Sequence, residues 1–218
     1  MRVLLILMIV SFSALAQTDK LVDPRDGKEY KVVQIGSQVW MAENLKYADT
    51  IVHLYKPQWY NSKNRISFQT PKDYETIPNY YAAGIYCYDD SGFFCKKYGM
   101  LYTWQAAKSA CPVGWHLPSE QEFKALLFTA GGDDKEKIKL ALLSGGSSGF
   151  EALPGGCLDL GVNGNDKFFY YRDKDENTYF WSSTVKHEII AMDIEIKKHV
   201  SISKQYTSEA FSVRCIKD

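Results

Sequence analysis

Net charge is missing from this sequence: 26 lysines and arginines stand against 26 aspartates and glutamates in 218 residues. That balance removes the basic footprint required for nucleic acid and leaves no polybasic patch for anionic membranes. No apolar run after the N-terminal stretch approaches the roughly 20 residues that cross a bilayer, so no membrane span is expected. No cysteine pair is spaced as C-x-x-C, and none of the histidines (His53, His116, His187, His199) falls in an H-x-H or H-x-x-x-H pattern. Spacing therefore predicts no metal site, and no cofactor is expected. No acid, base and nucleophile converge in any motif, so the chain does not read as an enzyme.

Two partial motifs fail for physical reasons. Gly145-Gly146-Ser147-Ser148-Gly149 matches G-x-S-x-G, but a nucleophile elbow needs a strand before the serine and a helix after it. Here a helical pattern precedes and an extended one follows, which predicts a Gly/Ser loop. Asp173, Asp175 and Asn177 imitate the opening of a calcium loop, yet Thr178 stands where the tight turn needs glycine and Thr184 where a bidentate glutamate belongs. A solvated turn is the expectation.

What is present begins with a charged Met1-Arg2, an apolar run Val3–Val10 and the triplet Ala14-Leu15-Ala16. This is the pattern of a signal peptide over residues 1–16, leaving a single domain over residues 17–218. No cysteine follows the cleavage point to carry a lipid. The expected location is secreted or cell-surface, with the periplasm as the alternative. All five cysteines, Cys87, Cys95, Cys111, Cys157 and Cys215, then meet an oxidising environment, and the odd count leaves at least one thiol out of intrachain pairing.

Periodicity predicts an α+β domain. Tyr30–Ile35 and Gln38–Met41 flank Gly36-Ser37 as a hairpin. Thr103–Cys111 reads as a helix stopped by Pro112. Ser119 with Glu122 forms a capping box for a second helix, which buries Phe123, Leu126, Leu127 and Ala130 and ends at Gly131-Gly132. Asp133 with Glu136 would cap a third helix running to Leu143. After Gly149 the period falls to two. Tyr179–Thr184, Met192/Ile194/Ile196, Val200/Ile202 and Phe211/Val213/Cys215 read as antiparallel strands with one wet face. Helices first and strands afterwards argue against a doubly wound sheet.

The run Tyr102–Cys111 followed by Pro112–Phe123, with Trp40-Met-Ala-Glu-Asn-Leu45, Gly149–Gly156, Phe180-Trp-Ser-Ser183 and Phe211-Ser-Val-Arg-Cys215, resembles the Fibrobacter succinogenes major paralogous domain family. That resemblance implies a secreted or surface protein. Trp104, Ala107 and Cys111 also resemble the first helix of C-type-lectin-like domains, and Leu117-Pro-Ser119 is similar to formylglycine-generating enzymes of the same fold. The implied architecture is C-type-lectin-like: two to three helices packed on antiparallel strands with long loops. The lectins' calcium and sugar motifs are missing, as is the close cysteine pair of the formylglycine-generating enzymes. The resemblance implies a Cys111–Cys215 disulfide. Cys87 and Cys95 flank a turn-forming segment and suit a local pair, which leaves Cys157 over.

The expected function is an exported, non-catalytic binding or adhesion module for a glycan or protein. The alternatives are a structural or assembly protein of the cell surface and, third, an enzyme of the formylglycine-generating type. Two segments carry recognition chemistry outside core periodicity: Ile51–Tyr81, with Tyr55, Trp59, Tyr60 and Tyr74, and Asn163–Asn177, with Tyr170, Tyr171, Arg172, Asp173 and Asp175. Both are expected to be loops whose aromatic and charged groups either bind a ligand or pin the loops to the core.

Overall fold

The computed structural model describes residues 20–49, 84–163, 166–186, 188–195, 200–205 and 209–218. The segment expected as a signal peptide, and Tyr55, Trp59, Tyr60 and Tyr74, lie outside the described residues. In chain order the elements are β1 (Lys20–Val22), β2 (Glu29–Ile35), β3 (Gln38–Met41), β4 (Ile85–Tyr86), α1 (Gly92–Tyr98), β5 (Leu101–Thr103), α2 (Trp104–Ala107) and β6 (Trp115–His116). There follow α3 (Glu120–Gly131), α4 (Lys135–Leu142), β7 (Gly155–Asn163), β8 (Asp166–Lys174), β9 (Asn177–Lys186), β10 (Glu188–Glu195), β11 (Val200–Gln205), β12 (Ala210–Ser212) and β13 (Ile216–Lys217). A 3₁₀ turn, Tyr88–Asp90, precedes α1.

The strands form two sheets. The smaller runs β1-β2-β3-β13-β6, and the larger runs β11-β10-β9-β7-β12-β5-β4, with β8 paired to β7. Pairing is antiparallel except where β9 meets β7 and β12, at Gly156↔Thr178 and Ser212↔Phe180. The β2–β3 hairpin turns at Gly36, where φ is +62°, a value glycine adopts without steric cost. Among the described residues no helix is long and apolar enough to cross a membrane.

Helix α3 follows the expectation closely. The Ser119 side chain accepts from the Glu122 backbone N–H, and the Glu122 carboxylate accepts from the Ser119 backbone. Phe123 and Leu126 are buried against Trp40, Phe150 and Phe180, with Leu127 and Ala130 partly buried beside them. Helix α4 is capped by Asp134 rather than Asp133, its side chain accepting from the Lys137 N–H. The helix expected over Thr103–Cys111 is a single turn. After Ala107 the backbone closes i→i+3 bonds, Ser109 to Ala106 and Ala110 to Ala107, and the chain is drawn off to its disulfide.

Two further expectations are corrected. The segment Asn163–Asn177 is not a loop: apart from its tip it forms β8, paired to β7 from Gly155↔Lys174 to Asn163↔Asp166. The C-terminal strand has no wet face, since Ser212 and Arg214 are as buried as Phe211, Val213 and Cys215. This segment passes from the larger sheet at β12 to the smaller at β13, so both of its faces meet protein.

Cys111 bonds Cys215 across 104 positions and Cys87 bonds Cys95 across 8, while Cys157 is free and buried. Motif tryptophans act through both ring and N–H. Trp181, fully buried, donates to the Tyr102 carbonyl at 2.6 Å, and Trp104, partly buried, donates to the Ser182 carbonyl at 3.0 Å.

Candidate ligand-binding cleft

The β8 residues form a closed network. Arg172 Nε donates to Asp159 Oδ2 at 2.7 Å, Nη1 donates to Asp173 and to the Tyr179 hydroxyl, and Nη2 reaches Glu209 at 3.4 Å. Tyr170 donates to the same Asp159 oxygen at 3.1 Å. Burial opposes the Arg172 charge, but the Asp159 and Asp173 carboxylates beside it hold the guanidinium above its ordinary value. Tyr171 leaves this group, donating to Asp90 and lying against Tyr88 with ring centroids 5.0 Å apart. Asp173 and Asp175 adopt φ of 64° and 65° at the β8–β9 turn. Asp175 accepts from Lys174 and from the Tyr98 hydroxyl. The structure thus joins Asp159 and Asp173 through Arg172, with Tyr170 on Asp159, and sends Tyr171 and Asp175 elsewhere.

The G-x-S-x-G stretch is a turn after α4. A Cβ at Gly146 would lie 2.3 Å from the Leu140 carbonyl oxygen, so the glycine is there to let the turn approach the helix end. Ser147 is exposed, and no strand enters the turn.

Sequence reasoning missed a cleft of about 480 Å³, between the β2–β3 hairpin, the end of α1 and the turn before β7. Its rim carries Lys31, Glu43, Lys46, Lys97, Tyr98 and Glu151. Lys46 pairs with Glu43 at 2.9 Å, and the Lys31 backbone N–H donates to the other Glu43 oxygen at 3.3 Å. Burial alone would raise the Glu43 carboxyl, but these hydrogen bonds and the two lysine charges hold it below its usual range. Glu151 adopts φ +55° and accepts from the Ser144 hydroxyl at 2.7 Å and from the Gly145 N–H. The Ser144 hydrogen bond is the largest influence lowering its carboxyl. Lys97 donates to the Tyr98 hydroxyl at 2.7 Å, and that hydroxyl donates on to Asp175, which ties the β8–β9 turn to the cleft rim.

Behind the cleft sits Arg214, wholly buried. It donates to the carbonyls of Met41, Phe150 and Glu151 and to Asn44 Oδ1, and lies over the Phe150 ring at 4.5 Å. Among the described residues it pairs with no carboxylate. Burial pushes the guanidinium down to about 9, with Glu43 and Glu151 opposing, so it keeps its charge at neutral pH.

A family model described as the Fibrobacter succinogenes major domain matches residues 33–217. The chain belongs to this family. No curated protein and no solved structure matches it. The matched span holds both disulfides, the Arg172 network and all of the cleft rim except Lys31. The described Fibrobacter succinogenes major domain residues contain no group of three histidine, cysteine, aspartate or glutamate side chains able to hold a metal. Nor do they offer a reactive thiol, since burial pushes Cys157 well above its ordinary value.

Proposed function

We propose that this chain is an exported, non-catalytic binding module on a C-type-lectin-like scaffold, recognising a glycan of a cell surface or wall. The observation that carries the reading is the cleft. At about 480 Å³ it has the size of small-ligand sites, and it mixes ammonium groups, carboxylates and a tyrosine with the apolar Val33 and Leu153. Such a lining suits sugars, whose hydroxyls need donors and acceptors while their C–H faces need apolar contact. Two disulfides suit work in an oxidising compartment, in keeping with an N-terminal export signal. The arrangement of the Arg172 network favours an anchoring role, leaving the cleft as the recognition site.

The test is binding of purified mature protein to a glycan and cell-wall array, with sedimentation in parallel. Saturable array signals from monomeric protein support the reading. Ordered multimers without signal would favour a structural or assembly protein, and signals from protein ligands alone would replace the glycan.

A further inference from the structure

Resting on that reading, we infer that the ligand's recognised group is anionic: a carboxylate or sulfate ester on a sugar, seated at the Lys31 and Lys97 side of the cleft.

Positive charge is in excess in a confined space. Three ammonium groups, Lys31, Lys46 and Lys97, line the cleft against two carboxylates, Glu43 and Glu151. The Arg214 guanidinium lies directly behind, with no ion pair among the described residues. Both carboxylates are already occupied. Glu43 takes Lys46 and the Lys31 N–H, while Glu151 takes Ser144 and Gly145. Lys97 donates to the Tyr98 hydroxyl, which passes a hydrogen bond on to Asp175, a carboxylate already paired with Lys174, and Lys31 makes no ion pair among the described residues. With Asp175 matched by Lys174, four cationic groups thus face the two carboxylates that line the cleft. The guanidinium's donors are spent on carbonyls and Asn44, so Arg214 contributes field rather than hydrogen bonds. Walls of low dielectric concentrate that field into the cleft. Lys31 and Lys97 are exposed on two different elements, β2 and α1, so an anion between them would bridge the hairpin and the helix. Neutral sugar hydroxyls would leave the excess positive charge uncompensated.

The experiment is calorimetric titration of the mature protein with three oligosaccharides of equal length: oligogalacturonate, its methyl ester, and a sulfated galactan. Each is measured against wild type, Lys31→Gln and Lys97→Gln. We expect the uronate or the sulfated chain to bind, the ester to bind at least about tenfold more weakly, and each substitution to cost about tenfold. Binding should also weaken as salt rises. Which of the two anions binds better identifies the source of the charge. Equal binding of acid and ester, or insensitivity to both substitutions, overturns the inference. If none of the three binds while a neutral glycan does, the inference falls and the binding-module reading stands. If no glycan binds at all, that reading falls with it.

Discussion

Arg172 on β8 and Asp159 on β7 meet at 2.7 Å, and that contact starts a network joining three strands. Asp173 and Tyr179 hold the same guanidinium from the β8–β9 turn and β9, and Glu209 approaches from just before β12. Most of the five guanidinium donors are therefore spent inside the protein.

Arg172→Ala should destabilise the fold strongly. It would remove the guanidinium shared by Asp159, Asp173 and Glu209, the last with a side chain only 5% exposed, and leave the three carboxylates without that common positive charge. Breaking a buried pair from one side costs about 3–5 kcal/mol. Urea denaturation should show a loss of that size. A variant within about 0.5 kcal/mol of wild type would mean the network is dispensable and Arg172 is available for a ligand.

The two disulfides should differ in what they contribute. In the chain-entropy account, closing the 104-residue separation of Cys111–Cys215 is worth about 4.7 kcal/mol, against about 2.5 for the 8 of Cys87–Cys95. Paired Cys→Ser variants compared by denaturant midpoint should rank in that order. Peptide mapping without reductant should leave Cys157 as the single alkylatable thiol, after unfolding only.

Gly146 and Ser147 separate packing from chemistry in the G-x-S-x-G turn. Gly146→Ala would force a Cβ against the backbone oxygens of Leu140 and Ala141, at 2.3 and 2.4 Å, and should cost about 1–3 kcal/mol. Ser147→Ala, at an exposed site, should change stability by less than about 0.5 kcal/mol. A fluorophosphonate probe should label neither. Labelling at Ser147 would restore the hydrolase reading.

His116 gives the fold a pH dependence. Its Nδ1 lies 2.6 Å from Asp218 and its Nε2 2.8 Å from Glu122, so only the imidazolium can donate to both. Burial works to lower its pKa, but these two carboxylates outweigh it and raise the value above 6.5. The stabilisation is therefore fully present below the unfolded value of 6.5 and is lost as pH rises through the folded value. Thermal melts of wild type and His116→Gln should differ most below pH 6.5 and converge as the pH rises through the raised folded value. A difference that grows with pH would contradict the assignment.

Much of the scaffold was legible because its signals are local. The Ser119–Glu122 capping box and the Gly36 turn specify themselves within a few residues. What escaped depends on distant partners. Helix α1 is held by the Cys87–Cys95 bond and by burial of Tyr98, where the intervening residues alone suggested a turn. Strand β8 exists through its pairing with β7, and its aromatic, charged sequence carries no alternation to announce it. Ser212 and Arg214 read as solvent-facing because polarity along a strand cannot reveal that both faces are covered. The cleft was least legible of all. Its charged residues lie from Lys31 to Glu151, and only the fold brings them together.

If recognition happens in this cleft, blocking its mouth must abolish binding. Lys31 is exposed on its rim, so Lys31→Trp should fill the mouth without disturbing the core. The decisive measurement is the affinity of wild type and Lys31→Trp for the strongest glycan found on the array, with melting temperatures taken alongside. We predict at least a tenfold loss of affinity, by about 1.4 kcal/mol or more, with melting temperatures within a few degrees. Undiminished binding by a folded Lys31→Trp protein would contradict the claim and move the recognition site elsewhere.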